Sequence, residues 1–330
     1  VKLSMTGPMF RYDRPQAGRY RQFWQFDIEA IGDPGPAVDA EIIELGSRFY
    51  ADAGLTGVEV LLNSIGDAAC RPAYVAELTA YYRERADRLP PLERGRLLEA
   101  LGASAAATDD NAAAAEAYEA ARGAYLAAGD RLAAAAVVAP LTAVRHLLGD
   151  DFDTRVSALR AALSEIDGPP SLHRAPAQAA SDAVRARLLA ALANAYGLDR
   201  RLAESIDIAT EARRQAHLAG DPATESHAAT TLGVCLVFAG RMDEGWTLFE
   251  DIVRDARERR LEPEAGRAYR MIGSSASVLV EYPRAEHWLR EGIEFSERLE
   301  LWNHRHYMAS HLAHVLWATG RWEAADEVAA

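Results

Sequence analysis

The sequence predicts an α+β segment at the front of the chain, followed by an all-α array of helical hairpins. Strand-like and helix-like patterns alternate only within about the first 90 residues. After Pro90-Pro91 alanine becomes abundant and no segment has a convincing strand pattern. Apolar and small residues then recur every 40 residues, most clearly over residues 182–330. Such a period is typical of a repeat array. We therefore place a domain boundary near residue 90, with domains at 1–90 and 91–330.

The front segment shows a strand, a loop, a second strand and a helix. A strand pattern ends near Tyr12, and the loop that follows contains arginine, proline and glycine. The pattern predicts a second strand over residues 22–31, whose apolar side we expect to face the core. That side consists of Trp24, Phe26, Ile28 and Ala30. Further along, we expect a helix over 37–52, a strand over 58–63 and a helix over 72–89.

The second segment repeats one pattern of large and small residues. Leu192, Leu232, Ile272 and Leu312 fall in register, and each is followed by a small residue. Small residues also recur later in each unit, at Ser205, Gly245, Ala285 and Ala325. We expect them to let two antiparallel helices approach closely. Gly240 and Gly320 are the predicted C-caps between helices. Residues 92–166 are less regular, and 167–181 read as an interruption.

Composition limits the possible functions. The 330 residues carry 49 acidic and 36 basic side chains, a net charge of −13 that disfavours broad nucleic-acid binding. There is no signal peptide and no uninterrupted apolar run of about 18 residues, so we expect neither secretion nor a membrane partner. Cys70 and Cys235 suggest reduced thiols in a cytoplasmic protein. The histidines show no zinc-ligand pattern, and we predict no metal site.

One string in the front segment carries chemistry. It runs Gly7-Pro8-Met9-Phe10-Arg11-Tyr12-Asp13-Arg14-Pro15-Gln16-Ala17-Gly18-Arg19-Tyr20-Arg21-Gln22-Phe23. A strand delivers Arg11, and the loop adds three more arginines, whose guanidinium groups suit phosphate oxygens and carboxylates. On the returning strand, Gln25 and Glu29 share one face and suit an amide-like edge and an ammonium group. The string predicts a pocket for a nucleotide and an amino acid.

This string resembles motif 2 of the class II aminoacyl-tRNA synthetases, in the form found in histidyl-tRNA synthetases. The resemblance continues through Asp39-Ala40-Glu41 and Asn63-Ser64-Ile65-Gly66-Asp67 to Cys70-Arg71-Pro72-Ala73-Tyr74. It implies an antiparallel class II synthetase-like sheet with helices, a homodimer, and tRNA, histidine and ATP with Mg²⁺ as ligands. Arg11 would be the catalytic residue that holds the α-phosphate of ATP and the activated carboxylate. The other implied contacts are Asp13, Arg19 and Arg21 to ATP, and Gln25 and Glu29 to histidine.

Other parts of that family's active site have no match in the sequence. We find no motif 1, which builds the dimer interface, no motif 3 with its second ATP-binding arginine, and no anticodon-binding domain. Both ends read as cut from something longer. We therefore expect the front segment to be truncated and inactive alone. Position 24, often histidine in the family, is Trp24, which we interpret as tolerated packing.

The second segment resembles the all-α tetratricopeptide-like superhelix of LuxR-type bacterial regulators. The resemblance rests on the 40-residue register and on phrases such as Ala239-Gly240-Arg241-Met242-Asp243-Glu244-Gly245. It implies a concave surface for a protein partner or effector. Two hypotheses follow: a histidine–tRNA ligase or its remnant, or a regulatory repeat scaffold with a passenger N-terminus. A third, a regulatory paralogue of the synthetase, is weaker because Arg11, Gln25 and Glu29 are all present.

Overall fold

The chain divides into two compact units. In the computed structural model the units are Val1–Leu78 and Thr79–Ala330. The structure describes residues 1–10, 22–32, 35–61, 73–74, 77, 81, 88–166, 176–299 and 301–329.

The first unit contains an antiparallel hairpin and a helix. Strand β1 spans Lys2–Phe10 and strand β2 spans Gln22–Ala30, with Gly7 opposite Gln25 in the register. Helix α1 spans Pro36–Asp52, and Pro36 stands in its first turn, where the missing N–H costs nothing. Both strands and this helix agree with the sequence prediction. The strand predicted over 58–63 does not form over residues 58–61, and its last two residues lie outside the described ranges.

The apolar side of β2 faces α1 but is not a buried core. The rings of Phe26 and Phe49 stack with centroids 6.1 Å apart, and Lys2 Nζ lies 2.6 Å from a carboxylate oxygen of Glu41. Yet Trp24 is 74% exposed and Phe26 is 52% exposed. No described residue between 1 and 61 is buried. The apolar side of β2 therefore faces a helix as predicted, but the prediction that it forms a buried core with Trp24 packed inside is wrong. One helix on two strands covers too little of the sheet surface.

The second unit is all helical over the residues that the structure describes. Its helices are α2 (Pro91–Ala107), α3 (Asn111–Ala127), α4 (Arg131–Ala136), α5 (Val138–Leu147), α6 (Phe152–Ile166), α7 (Pro176–Leu198), α8 (Leu202–Ala219), α9 (Pro222–Phe238), α10 (Met242–Glu258), α11 (Glu262–Val278), α12 (Tyr282–Arg298), α13 (Trp302–Ala318) and α14 (Trp322–Ala329). This confirms the predicted fold class, an α+β start followed by an all-α superhelix.

The helices follow a 20-residue cycle. From α8 onward they begin at residues 202, 222, 242, 262, 282, 302 and 322. Among the described residues, nine backbone positions with positive φ stand shortly before the start of a following helix. These positions are Asp109, Gly129, Gly149, Arg200, Gly220, Gly240, Arg260, Val280 and Gly320. The cycle also holds for α2, α3 and α4, which begin at 91, 111 and 131, so the front of the array is more regular than its sequence indicates.

The positive-φ residue closes each helix in the same way. At the end of α9 the amide of Gly240 donates to the carbonyl of Val237 at 3.2 Å, and that of Arg241 donates to Leu236 at 2.9 Å. This pair of bonds is the Schellman arrangement, in which the left-handed residue turns the chain out of the helix. The predicted C-caps at Gly240 and Gly320 are confirmed.

Small residues set the distance between the two helices of each hairpin. We name the first helix of each 40-residue hairpin the A helix (α7, α9, α11, α13) and the second the B helix (α8, α10, α12, α14). A Cβ atom added at Gly245 of α10 would lie 2.5 Å from Val237 Cγ1 and 3.0 Å from the Val237 nitrogen of α9. One added at Gly273 of α11 would lie 2.6 Å from a methyl group of Leu289 of α12. The close approach predicted from the register is confirmed.

A helices of successive hairpins pack closely along their backbones, whereas B helices of successive hairpins lie farther apart and meet through side chains, as in the 3.0 Å ion pair between Arg257 of α10 and Glu291 of α12. The A helices therefore line the inner side of a curved array and the B helices its outer side. The curvature brings helices that are distant in sequence together within this unit. Asn303 Nδ2 of α13 donates a hydrogen bond to the carbonyl oxygen of Ala107 in α2 at 3.1 Å.

Two irregular places have local causes. The helix that starts at Arg131 stops at Ala136, because the ring of Pro140 clashes with the carbonyl group four residues earlier. Helix α7 already begins at Pro176, inside the segment 167–181 that we expected to be an interruption. Residues 167–175 lie outside the described ranges.

A glycine-to-alanine pair tests the close approach of α9 and α10. Gly245→Ala forces a methyl group against backbone atoms of α9, and we expect it to cost about 1–3 kcal/mol of stability. The control is Gly123→Ala, which lies inside α3 with nothing within 4 Å of the added atom. There the gain in helix propensity is about 0.5–1 kcal/mol. Thermal unfolding should show a lower midpoint for the first variant and a higher one for the second. A higher midpoint for both would contradict the packing.

Candidate functional site

The inner side of the repeat unit carries a groove between four A helices. The cavity has a volume of about 230 Å³. Its walls come from α7, α9, α11 and α13 and from the turn after α7: Asn194, Gly197, Leu198, Arg200, Thr231, Val234, Cys235, Phe238, Arg267, Met271, Ser274, Ser275, Val278, Tyr307 and His311. We call this the inner groove. No B helix contributes to these walls among the residues that the structure describes.

The repeat register explains why these side chains meet. Positions 40 residues apart occupy equivalent places in successive A helices, as Leu198, Phe238 and Val278 do near the helix ends. Because the A helices stack on one another, equivalent positions form rows along the inner side. The row at helix ends is apolar, while the row of His227, Arg267 and Tyr307 is polar.

Exposed apolar side chains make the groove suited to binding. Val278 is 56% exposed and Leu198 is 47% exposed, although both lie in a concave wall. Apolar surface gathered in a concavity with a few polar groups is the common composition of a binding site. Phe238 is covered on one face by the Arg200 guanidinium, whose central carbon lies 4.5 Å from the ring centre.

The groove is basic, although the chain as a whole is acidic. Its walls contain the cations Arg200 and Arg267, and no aspartate or glutamate among the described lining residues. Burial, followed by the charge of His314, lowers the pKa of the third basic residue, His311. The other cavities of this unit hold carboxylates beside their arginines. One between α12, α13 and α14 contains Glu294, Glu297 and Glu327, and one beside α10 contains Asp251, Asp255 and Glu258. The inner groove is thus electrostatically distinct, and its charge favours an anionic ligand.

Two arginines at the groove are held in place by neighbouring A helices. Arg267 Nη2 donates to Thr231 Oγ1 of α9 at 3.2 Å. The guanidinium carbon of Arg270 lies 5.0 Å from the ring centre of Tyr307 on α13, a cation–π contact. Arg267 and Arg270 are three residues apart on α11 and therefore lie on the same side of that helix.

The positive charges perturb the groups around them. Burial, followed by the charges of Arg270 and Arg267, lowers the pKa of His304 on α13 to about 4. The charge of Arg267, followed by burial and the charge of Arg270, holds the pKa of His227 on α9 well below its usual value. Burial and Arg270 lower the pKa of Arg267 itself to about 10, against the opposing effect of Glu264. Both histidines are therefore neutral at neutral pH, and the arginines carry the charge.

The predicted synthetase residues are only partly described. Arg11, Asp13, Arg19 and Arg21 lie outside the described ranges, so their implied ATP contacts stay predictions. The remaining two, Gln25 and Glu29, both lie exposed on β2, opposite Gly7 and Leu3 of β1.

The amide of Gln25 is already engaged on its own strand. Gln25 Nε2 donates to Asp27 Oδ1 at 2.6 Å. Gln25, Asp27 and Glu29 alternate with the residues that face α1, so the three share the opposite side of the sheet. A ligand at this face would have to use the Gln25 carbonyl oxygen or compete with Asp27 for the amide.

Sequence reasoning missed the groove residues. The histidines show no zinc-ligand pattern, so no role is predicted for His304 or His311. The signal available was the polar row at positions 227, 267 and 307, which recurs on an otherwise apolar inner side. Among the described residues there is also no cluster of three or more metal-ligating side chains. Nor is any helix in those ranges long and apolar enough to span a bilayer.

The environment of His304 can be tested by titration. Its folded pKa of about 4 lies below the ordinary 6.5, so the unfolded chain takes up a proton as the pH falls through this window while the native chain does not. His304 therefore lowers stability as the pH falls from about 6.5 to 4. NMR titration of the His304 ring should give the low value, and Arg270→Gln should raise it only partly, because burial is the larger cause. A value near 6.5 in the unchanged protein would contradict the arrangement.

The N-terminal region and the repeat unit of the chain are similar to different known proteins. No family model matches it. The histidine–tRNA ligase of Moorella thermoacetica is 55% identical over 96 residues, 29% of this chain and 23% of that protein. Histidine–tRNA ligase 2 of Bacillus cereus is 57% identical over 85 residues, 26% of this chain and 20% of that protein. The chain thus spans about a quarter or less of these relatives. Its N-terminal region resembles histidine–tRNA ligase over about 90 residues.

The repeat unit is similar to solved helical-repeat proteins. One is a signal transduction ATPase with a tetratricopeptide repeat sensor from Pyrococcus horikoshii. The TM-score is 0.51 with 10% identity, over 78% of this chain and 37% of that one. Identity this low indicates a shared fold alone. The tetratricopeptide-like resemblance of the second segment is confirmed as a fold.

Proposed function

We propose that the repeat unit is a binding module that holds a peptide segment of a partner protein in the inner groove. The observation that carries this proposal is the groove itself, whose walls come from four A helices and present exposed apolar side chains beside arginines. An extended or helical segment buries apolar side chains in such a concavity while its polar groups meet the basic wall. The long row of equivalent A-helix positions suits a chain-like ligand better than a compact metabolite.

The finer form of this proposal is regulatory. A module of this kind acts by changing its partner's state when a peptide or effector occupies the groove, as expected from the resemblance to LuxR-type regulators. We also propose a cytoplasmic location, supported by the buried, unpaired thiol of Cys235.

Peptide selection tests the binding proposal directly. A random peptide library displayed on phage is selected against the whole purified chain, and enriched peptides are measured by fluorescence anisotropy. Leu198→Glu and Val278→Glu change exposed groove positions, so folding should persist while affinity falls about tenfold or more, equivalent to about 1.4 kcal/mol. Leu218→Glu is the control, since Leu218 is 71% exposed on the B helix α8. Equal losses for all three variants, or no enriched peptide, would refute the groove as the binding site.

We propose a second, separate role for the first unit as a remnant of a histidine-activating site. It is favoured by the 55% identity to a histidine–tRNA ligase. In this proposal Arg11, Asp13, Arg19 and Arg21 face ATP with Mg²⁺, and Gln25 and Glu29 face histidine. Binding of tRNA and dimer formation belong to the same proposal. In this proposal the unit is inactive alone, which agrees with the fact that none of the described residues between 1 and 61 is buried.

Histidine-dependent ATP–pyrophosphate exchange tests this second role. We expect the whole chain to show no exchange above background, because the sequence has no match to the second ATP-binding arginine of motif 3. Loss of one such charge-stabilising donor costs about 3 kcal/mol of transition-state stabilisation. The histidine–tRNA ligase of Moorella thermoacetica serves as the positive control. Exchange that disappears in Arg11→Gln would contradict the expected inactivity and would show a working site.

A further inference from the structure

Four cationic or ionisable side chains from three A helices gather at one place on the inner side. They are Arg267 and Arg270 of α11, His227 of α9 and His304 of α13, and we call them the basic cluster. The side chains are close enough to interact electrostatically: both arginines lower the pKa of both histidines, and a Cβ added at Gly266, next to Arg267, would lie 2.8 Å from His304 Cδ2. The cluster joins the inner groove, since Arg267 is also one of its wall residues.

Among the residues that the structure describes, neither arginine of the basic cluster forms an ion pair with a carboxylate. Another half-buried arginine of this unit, Arg122, pairs with Glu165 at 3.0 Å. Glu264 lies one helical turn before Arg267, but its effect on the pKa of Arg267 is smaller than those of burial and of Arg270.

Buried nitrogen atoms of the basic cluster also lack hydrogen-bond partners. Arg267 Nε, Arg270 Nε and His304 Nδ1 are buried, and none has a partner among the described residues. A buried, unpaired cation is costly, and an anion that accepts hydrogen bonds from it removes much of that cost. The planar guanidinium group matches a carboxylate with two parallel bonds. The basic cluster therefore carries positive charge and unfilled hydrogen-bond donors that a carboxylate would satisfy.

We propose that the basic cluster binds an acidic side chain of the peptide that occupies the inner groove. The inference rests on the proposed function of the groove as a peptide site. The surroundings favour an acidic residue between apolar ones, because Val234, Phe238 and Met271 share the walls of the inner groove with Arg267. With a net charge of −13, the chain repels a polyanion such as RNA at long range, whereas a single carboxylate is steered to the local positive potential.

The first test uses small probes and does not depend on peptide binding. Arginine Nε–Hε signals of the whole chain are recorded by NMR with N-acetylglutamate α-amide, its neutral analogue N-acetylglutamine α-amide, or inorganic phosphate. We expect the signals of Arg267 and Arg270 to shift with the glutamate probe and not with the glutamine probe. A stronger response to phosphate, or equal responses to the glutamate and glutamine probes, would overturn the carboxylate assignment.

The second test uses peptides selected against the groove. Arg267→Gln and Arg270→Gln should each weaken acidic peptides about tenfold, and changing the peptide's glutamate to glutamine should give the same loss. The two changes together should cost little more than one alone, since they break the same contact. Arg298→Gln, which removes an exposed charge from the B helix α12, is the matched control and should bind normally. Folding should survive, because removing an unpaired buried charge relieves a cost, and the thermal midpoint checks this.

The outcomes separate the two levels of the proposal. Peptides that bind with full affinity to Arg267→Gln and Arg270→Gln would overturn the carboxylate site while the groove stays a peptide site. A positive small-probe response without any enriched peptide would overturn the peptide function while the anion site remains.

Discussion

The repeat unit depends on a single constraint, the close approach of two helices across small side chains, renewed in every hairpin. A methyl group added at Gly245 would meet backbone atoms of α9, and one added at Gly273 would meet the Leu289 side chain of α12, so these glycines allow the helices to approach closely. A turn with one left-handed residue reverses the chain every 20 residues and returns the next helix to the same place. Hairpins of similar geometry then stack through their A helices. The array curves because the B helices of successive hairpins do not approach one another as closely as the A helices do.

The inner groove is a consequence of that stacking. Equivalent positions in the A helices fall into rows, so a few substitutions in otherwise similar repeats place unlike residues side by side. His227, Arg267 and Tyr307 occupy one such row, and the first two would be ordinary surface residues on an isolated helix. In the array they share a half-buried environment whose charge the described residues leave uncompensated. The same A helices therefore use one face for stability and another for recognition. Small residues pack against the B helix of the same hairpin, and polar residues lie on the inner side of the array.

Much of the architecture could be predicted from the sequence, and the gaps have physical causes. The 40-residue register located the close contacts, and glycine identified the turns at Gly240 and Gly320. Arg200, Arg260 and Val280 adopt the same left-handed conformation without being glycine, so those turns leave no clear signature. The groove escaped prediction because its residues come from three hairpins and become neighbours only after the helices stack. In the first unit, alternation gave both strands correctly but could not reveal how little of their apolar side α1 covers.

The central claim is that ligands are held by the inner side of the A helices. Hydrogen exchange of the whole chain, followed by mass spectrometry with and without a saturating selected peptide, tests it most directly. The account predicts added protection in segments of α9, α11 and α13 around positions 227–238, 267–278 and 304–311, with B helices and residues 1–61 unchanged. Protection confined to the B helices or to the first unit would contradict it.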